Sequence, residues 1–175
     1  MTDKPTPSEP KPAATILLLR DGSAGMEVFM VVRHHQIDFA SGALVFPGGK
    51  ADPQDFDSAL IPFLHGEHED TDMRAAQVSA IREAFEECGI LLAREQDSTD
   101  IISGKRLTTL QEFREPMNKG EISLLDFLLQ QQLQLACDQL VHFAHWITPP
   151  MMPKRFDTHF YLAIAPADHL ALHDG

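Results

Sequence analysis

Glu83, Glu86 and Glu87 lie within five residues, in the stretch Arg82-Glu83-Ala84-Phe85-Glu86-Glu87-Cys88-Gly89-Ile90. On a helix, where each residue advances about 100°, these acids fall within an arc of about 100° on one face. Met73, Gln77, Val78, Ile81, Ala84, Phe85 and Cys88 occupy the other side. The pattern predicts an amphipathic helix capped at its start by Asp72, running to Cys88 and ended by Gly89. Converging carboxylates on a rigid face suit a hard divalent cation, which prefers oxygen ligands and keeps positions open for water and phosphate. A solvated acidic face is the alternative. Upstream, Pro47-Gly48-Gly49 ends a strand-like run, Ala43 to Phe46, and gives a backbone that a ligand can approach closely.

The elements that must position these groups read as follows. Ala14 to Leu19 and Met26 to Arg33 are strand-like runs around the turn cluster Arg20 to Gly25, the pattern of a hairpin. Asp52 to Asp55 turns the chain, and Phe56 to Thr71 reads as an inserted, partly helical loop. After the acidic helix, Gln96 to Lys105 is polar and loop-like. Leu107 to Arg114 and Ser123 to Leu135 show helical spacing on either side of a break at Met117 to Gly120. Two further strand-like runs, Leu140 to Ile147 and Arg155 to Ala165, flank a proline-rich loop. Strands before and after a central helix predict an α/β fold, a sandwich around a mixed β-sheet with a helical insertion.

The 175 residues amount to one domain, 43% apolar and 23% charged. A net charge of -12 excludes a polymer of nucleic acid as the expected partner, since no basic stripe offsets it. Small phosphorylated substrates remain compatible, because bound cations reverse the sign of a pocket. Residues 1 to 13 are expected to form a Pro-rich disordered tail before a domain spanning 14 to 175. No apolar run approaches the ~20 residues of a membrane span. Cys88 and Cys137 are expected to be buried and reduced, which fits a cytoplasmic protein.

Gly48-Gly49, an acid at Asp52 or Asp55, and Arg82-Glu83-hydrophobe-x-Glu86-Glu87-x-Gly89-hydrophobe together resemble the signature of the Nudix hydrolases. The second half of that box matches at every specified position, with Ala84 and Ile90 as the hydrophobes. The first half departs from it. Gly49 and Arg82 are separated by 32 residues, against thirteen in the family's box, and the box's first glutamate falls in register on Asp55. The resemblance implies a Nudix-like α/β/α sandwich and a metal-dependent hydrolase using Mg²⁺ or Mn²⁺. It also implies that Glu86 and Glu87 are metal ligands, that Glu83 joins them or helps deprotonate the attacking water, and that the Gly49 carbonyl adds an oxygen. Arg82, at i, i+4 from Glu86, is expected to orient the carboxylates rather than form an ordinary helix ion pair.

Arg33, Gly42 and Phe46-Pro47-Gly48-Gly49 partly match a pattern found upstream of the box in coenzyme A diphosphatases, from which His34 and Asp38 depart. The insertion, Thr148-Pro149 and Arg155 to Thr158 look more like the long-insert branch of these enzymes. This likeness covers most of residues 14 to 165. It implies coenzyme A or an acyl derivative as substrate and makes Arg33, Phe46 and Gly48 candidate substrate contacts. Arg155, like Lys154, reads either as a phosphate contact or as a solvated base.

Trp146 reads as a core residue before it reads as a base-stacking one. His142 and His145, three apart on a strand, are expected on opposite faces and so not on a shared metal. His65 and His68 in the insertion are a weak zinc motif. Only Pro166 to Gly175 follow the last strand. A closing helix, and any acid that it carries, is therefore expected to lie outside this sequence.

Overall fold

A computed structural model describes residues 8–32 and 43–169. The first strand, β1 (Lys11–Gly22), is the axis of the molecule. It turns through a tight hairpin into β2 (Gly25–Val28), pairing Leu19 with Val28 and Gly22 with Gly25. The short strands β3 (Val31–Val32) and β4 (Leu44–Val45) pair with each other, and β5 (Gly48–Lys50) returns to β1, setting Gly49 opposite Ala14. The expected tail at residues 1–7 lies outside the described residues. Regular structure nevertheless begins at Lys11, three residues before the expected boundary. Both sides of that stretch find backbone partners: Lys11 N–H donates to Arg155 O, and Pro12, which lacks an N–H, accepts from Ala51 N–H.

A 3₁₀ turn, Pro53–Phe56, and another, Ser58–Phe63, lead to β6 (Leu64–His65) and then to helix α1 (Thr71–Cys88). The N-cap is Asp70 rather than Asp72; its carboxylate accepts from the N–H groups of Asp72 and Met73. At the other end Gly89 takes φ 69°, the left-handed cap expected of it. Beyond lie β7 (Ala93–Glu95), α2 (Gly104–Leu110), α3 (Arg114–Asn118), α4 (Leu124–Gln131), β8 (Leu133–Ala136), β9 (Val141–Ile147) and β10 (Phe156–Ile164).

The main sheet runs β2-β1-β10-β9, with β5 also on β1; β1 and β10 are parallel and the other pairs antiparallel. Helix α1 lies on one face of it through Val78, Ile81, Ala84 and Phe85, which meet Ala14, Ile16 and Leu18 in the core. Tyr161 on β10 donates its hydroxyl to Met73 O near the start of α1. The helix thus passes from β10 at its first turn to β5 at its last.

The insertion is not a loop. Its strand β6 joins β8 and β7 in a second, three-stranded sheet, and Leu60 and Leu64 are buried with Phe127, Leu128 and Leu133. The helix expected over Ser123 to Leu135 stops at Gln131, because Gln132 adopts φ 55° and the chain then enters β8. Cys88 and Cys137 are buried, and burial pushes the Cys137 thiol up to about 12. Among the described residues no helix is long and apolar enough to cross a membrane.

Candidate active site

From the last turns of α1, Glu83 and Glu87 project onto Gly49 and Gly48 of β5, and Glu86 turns to Arg82. The two glycines of β5 make that approach possible. A Cβ on Gly49 would stand 2.7 Å from the Glu83 carboxylate, and one on Gly48 would stand 2.3 Å from Ala14 O. The Gly48 N–H donates to Glu87 Oε2 at 3.0 Å, tying strand to helix across the insertion. Phe46 is half-buried just before these glycines, and Pro47, which is buried, accepts from Ile16 N–H.

Arg82 is the hub. Its Nε and Nη2 donate to Asp55 Oδ1 and Oδ2 at 2.9 and 3.0 Å, in a two-pronged grip. Nη1 lies 2.9 Å from Glu86 Oε2 and 3.0 Å from Glu83 Oε1, and Nη2 also donates to Lys50 O. Burial works against the charge of Arg82, but the hydrogen bond and charge of Asp55, joined by Glu83 and Glu86, hold the guanidinium above its ordinary pKa. Asp55, in register with the family's first glutamate, is thereby fixed on Arg82. It is itself set by the turn, where Asp52 N–H donates to its Oδ2 at 2.8 Å.

Three carboxylates meeting one guanidinium carry more negative than positive charge in a nearly dry place. Burial pushes Glu86 up to about 7, and Glu83 is also raised by burial, against the pull of Arg82. An all-oxygen donor set with excess negative charge fits a hard divalent cation such as Mg²⁺ or Mn²⁺. Glu83 and Glu86 are drawn toward Arg82, and Glu87 toward Gly48. Among the described residues the glutamates are therefore not gathered as one tight ligand set.

Three supporting groups carry no sequence signal. Arg114 of α3 donates from Nε to Phe85 O and from Nη2 to Glu86 O, both at 2.9 Å, satisfying carbonyls at the end of α1. Gln111 Nε2 donates to Gly89 O, and Gln54 accepts from the Leu124 N–H at the start of α4, anchoring the turn that holds Asp55. Of the other expected contacts, Arg33 and Gly42 lie outside the described residues. Arg155 donates to Thr148 O at 3.0 Å and Ser8 O at 2.6 Å, closing the β9–β10 loop. Trp146 is 67% exposed, not core, because it points to the sheet face opposite α1 at the edge strand.

The model of the NUDT19 Nudix domain matches residues 65–173. The chain belongs to the Nudix family. A curated relative, the acyl-coenzyme A diphosphatase NUDT19 of Xenopus laevis, is 24% identical over 183 residues, covering 82% of this chain and 48% of its own. The chain thus spans about half the length of that relative. A Nudix hydrolase from Alicyclobacillus acidocaldarius has a similar structure, with a TM-score of 0.73 and 28% identity over 96% of this chain and 75% of that one. A MutT/nudix protein from Enterococcus faecalis shares the fold, with a TM-score of 0.50 and 15% identity over 99% of this chain and 43% of that one. The Nudix α/β/α sandwich expected from the sequence is the fold observed, with Arg82, Glu83, Glu86 and Glu87 on its helix α1.

Proposed function

We propose that this Nudix domain is a pyrophosphohydrolase that cleaves a nucleoside diphosphate linked to a second moiety, with coenzyme A or an acyl-coenzyme A as substrate. The observation that carries the reading is the junction of α1 with β5, where Gly48 and Gly49 meet Glu83 and Glu87 while Arg82 gathers Asp55, Glu83 and Glu86. A diphosphate bridge resists hydrolysis because its anionic oxygens repel a nucleophile. A divalent cation at such a site supplies charge neutralisation and an acidified water. Glu83, Glu86, Glu87 and the Gly49 carbonyl are the groups that would hold it. Arg82 fixes the carboxylates, and Gly49 keeps space beside Glu83 that any side chain would fill. Phe46, Gly48 and Arg33 are the candidate substrate contacts, and Arg155 holds the β9–β10 loop through Thr148 O.

The coenzyme A reading is supported by the likeness to the acyl-coenzyme A diphosphatase NUDT19 and by the long insertion. Incubating the protein and Mg²⁺ or Mn²⁺ with coenzyme A, acyl-coenzyme A, ADP-ribose, NADH, dinucleoside polyphosphates and deoxynucleoside triphosphates, with products identified by mass, tests it. The expected products are the phosphopantetheine part and adenosine 3′,5′-bisphosphate. Preferential cleavage of a nucleotide-sugar, dinucleotide or triphosphate would reassign the substrate, and binding without turnover of any member would make the domain a ligand sensor.

A further inference from the structure

Helix α1 faces a second cluster of metal-competent side chains at the opposite end of its path over the sheet. Among the described residues, one group of three has ligand atoms all within 4.8 Å of one another: His145 of β9 with Asp157 and His159 of β10. His145 Nε2 contacts Asp157 Oδ1, and the His145 and His159 rings stack at 4.2 Å with only 6° between their planes. His142 Nε2 lies 3.1 Å from His159 Nδ1, and its ring packs against Tyr161.

A regular strand would send His142 and His145 to opposite faces. The β9–β10 ladder is irregular at this point: Phe160 pairs with Ala144, but Tyr161 pairs with His142, leaving Phe143 as an extra residue. That bulge resets the alternation. His145 opposite His159 and His142 opposite Tyr161 then share the face toward α1, so the expectation of opposite faces fails for a definite reason. β9 has one neighbour in the main sheet, β10, so the bulge sits at an edge, where such devices re-aim side chains.

We propose that His145, Asp157 and His159 form a site for a divalent transition-metal ion of the Zn²⁺ class, with His142 orienting His159 from behind. Two imidazoles and one carboxylate are the donor set that Zn²⁺ and related ions take with one position left open. The His145 and Asp157 side chains are 40% and 37% exposed, so an ion has access and its open position meets solvent. Mg²⁺, which favours oxygen, is the wrong ion for this set. The site is separate from the glutamates. His159 lies in the row Gly49–Ala14–His159, two strand spacings or about 10 Å from Gly49, beside the first turn of α1 rather than its last. An ion there would pin the edge strand β9 to β10.

Calorimetric titration of the full chain, stripped of metal with a chelator, tests the assignment with Zn²⁺ and separately with Mg²⁺. Co²⁺ serves as a second probe, whose visible absorption reports nitrogen ligation. One equivalent of Zn²⁺ should bind at this site, counted with Glu86→Gln/Glu87→Gln so that the glutamates do not contribute. His145→Ala and Asp157→Asn should each weaken it by about tenfold or more, and His142→Ala by less. The double variant Glu86→Gln/Glu87→Gln should keep it. Circular dichroism confirms that each variant remains folded. Zn²⁺ binding unchanged in both His145→Ala and Asp157→Asn, no Zn²⁺ binding by the parent chain, or binding abolished by the glutamate variants alone would overturn the site.

Discussion

Arg82 is held by more partners than a helix ion pair needs. Asp55 grips two of its nitrogens, Glu86 and Glu83 meet the third, and Lys50 O takes a further hydrogen bond. A lysine has neither the planar fork nor the number of donors to reproduce this. Arg82→Lys should therefore leave Asp55 incompletely paired in a buried place, costing about 3 kcal/mol of stability in denaturant titrations. It should also lower turnover through misplaced Glu83 and Glu86. Unchanged stability would mean that Arg82 does not hold the cluster. The residue types of this site were readable from the Arg82 to Ile90 stretch alone, because their spacing on a helix already puts the acids on one face. Asp55 was readable only as a position in register. Its grip on Arg82 depends on a turn whose relation to α1 no local pattern encodes.

At the scale of elements, α1 must end at a fixed place for Glu87 to meet Gly48 of β5 and Glu86 to meet Arg82. Gly89 and Arg114 share that task. Arg114→Ala removes two hydrogen bonds to buried carbonyls of Phe85 and Glu86, and should cost about 1–3 kcal/mol with a parallel loss of turnover. Thermal unfolding and initial rates measured on the same preparation check both effects; a fall in stability with full activity would separate the cap from the site. Gly89 was legible because a left-handed cap has a sequence signature. Arg114 was not, since it lies 25 residues beyond Gly89 and works on carbonyls, which have no identity in the sequence. The strand β6 was missed because two residues carry no alternation. The bulge in β9 was missed because one extra residue shifts every later side chain without changing composition.

Over the whole molecule, the second sheet is what makes the insertion part of the core rather than a decoration. It is locked by Arg94, which donates to both Asp138 oxygens at 2.5 and 2.7 Å and to Thr99 O, while Asp138 packs against Gly66. The Arg94 hydrogen bonds hold the Asp138 carboxyl below its ordinary value. An acid with a lowered folded pKa adds stability that is present above its unfolded pKa and is lost as pH falls through the folded one. Stability should thus decline as the solution is taken below about pH 4, the ordinary aspartate range. Asp138→Asn should be less stable at neutral pH and show a shallower acid decline in urea midpoints followed against pH. An identical decline in both proteins would remove Asp138 from the account.

The junction of α1 and β5 ties these scales together, because fold, cap and turn all converge on the placement of three glutamates against two glycines. Initial rates of coenzyme A or acyl-coenzyme A hydrolysis with saturating Mg²⁺, compared between the parent chain and Glu86→Gln, test that convergence most directly. A loss of about a hundredfold or more in kcat, with an unchanged circular dichroism spectrum, is the predicted result. Hydrolysis that continues undiminished in Glu86→Gln would contradict the assignment of this helix face as the catalytic platform.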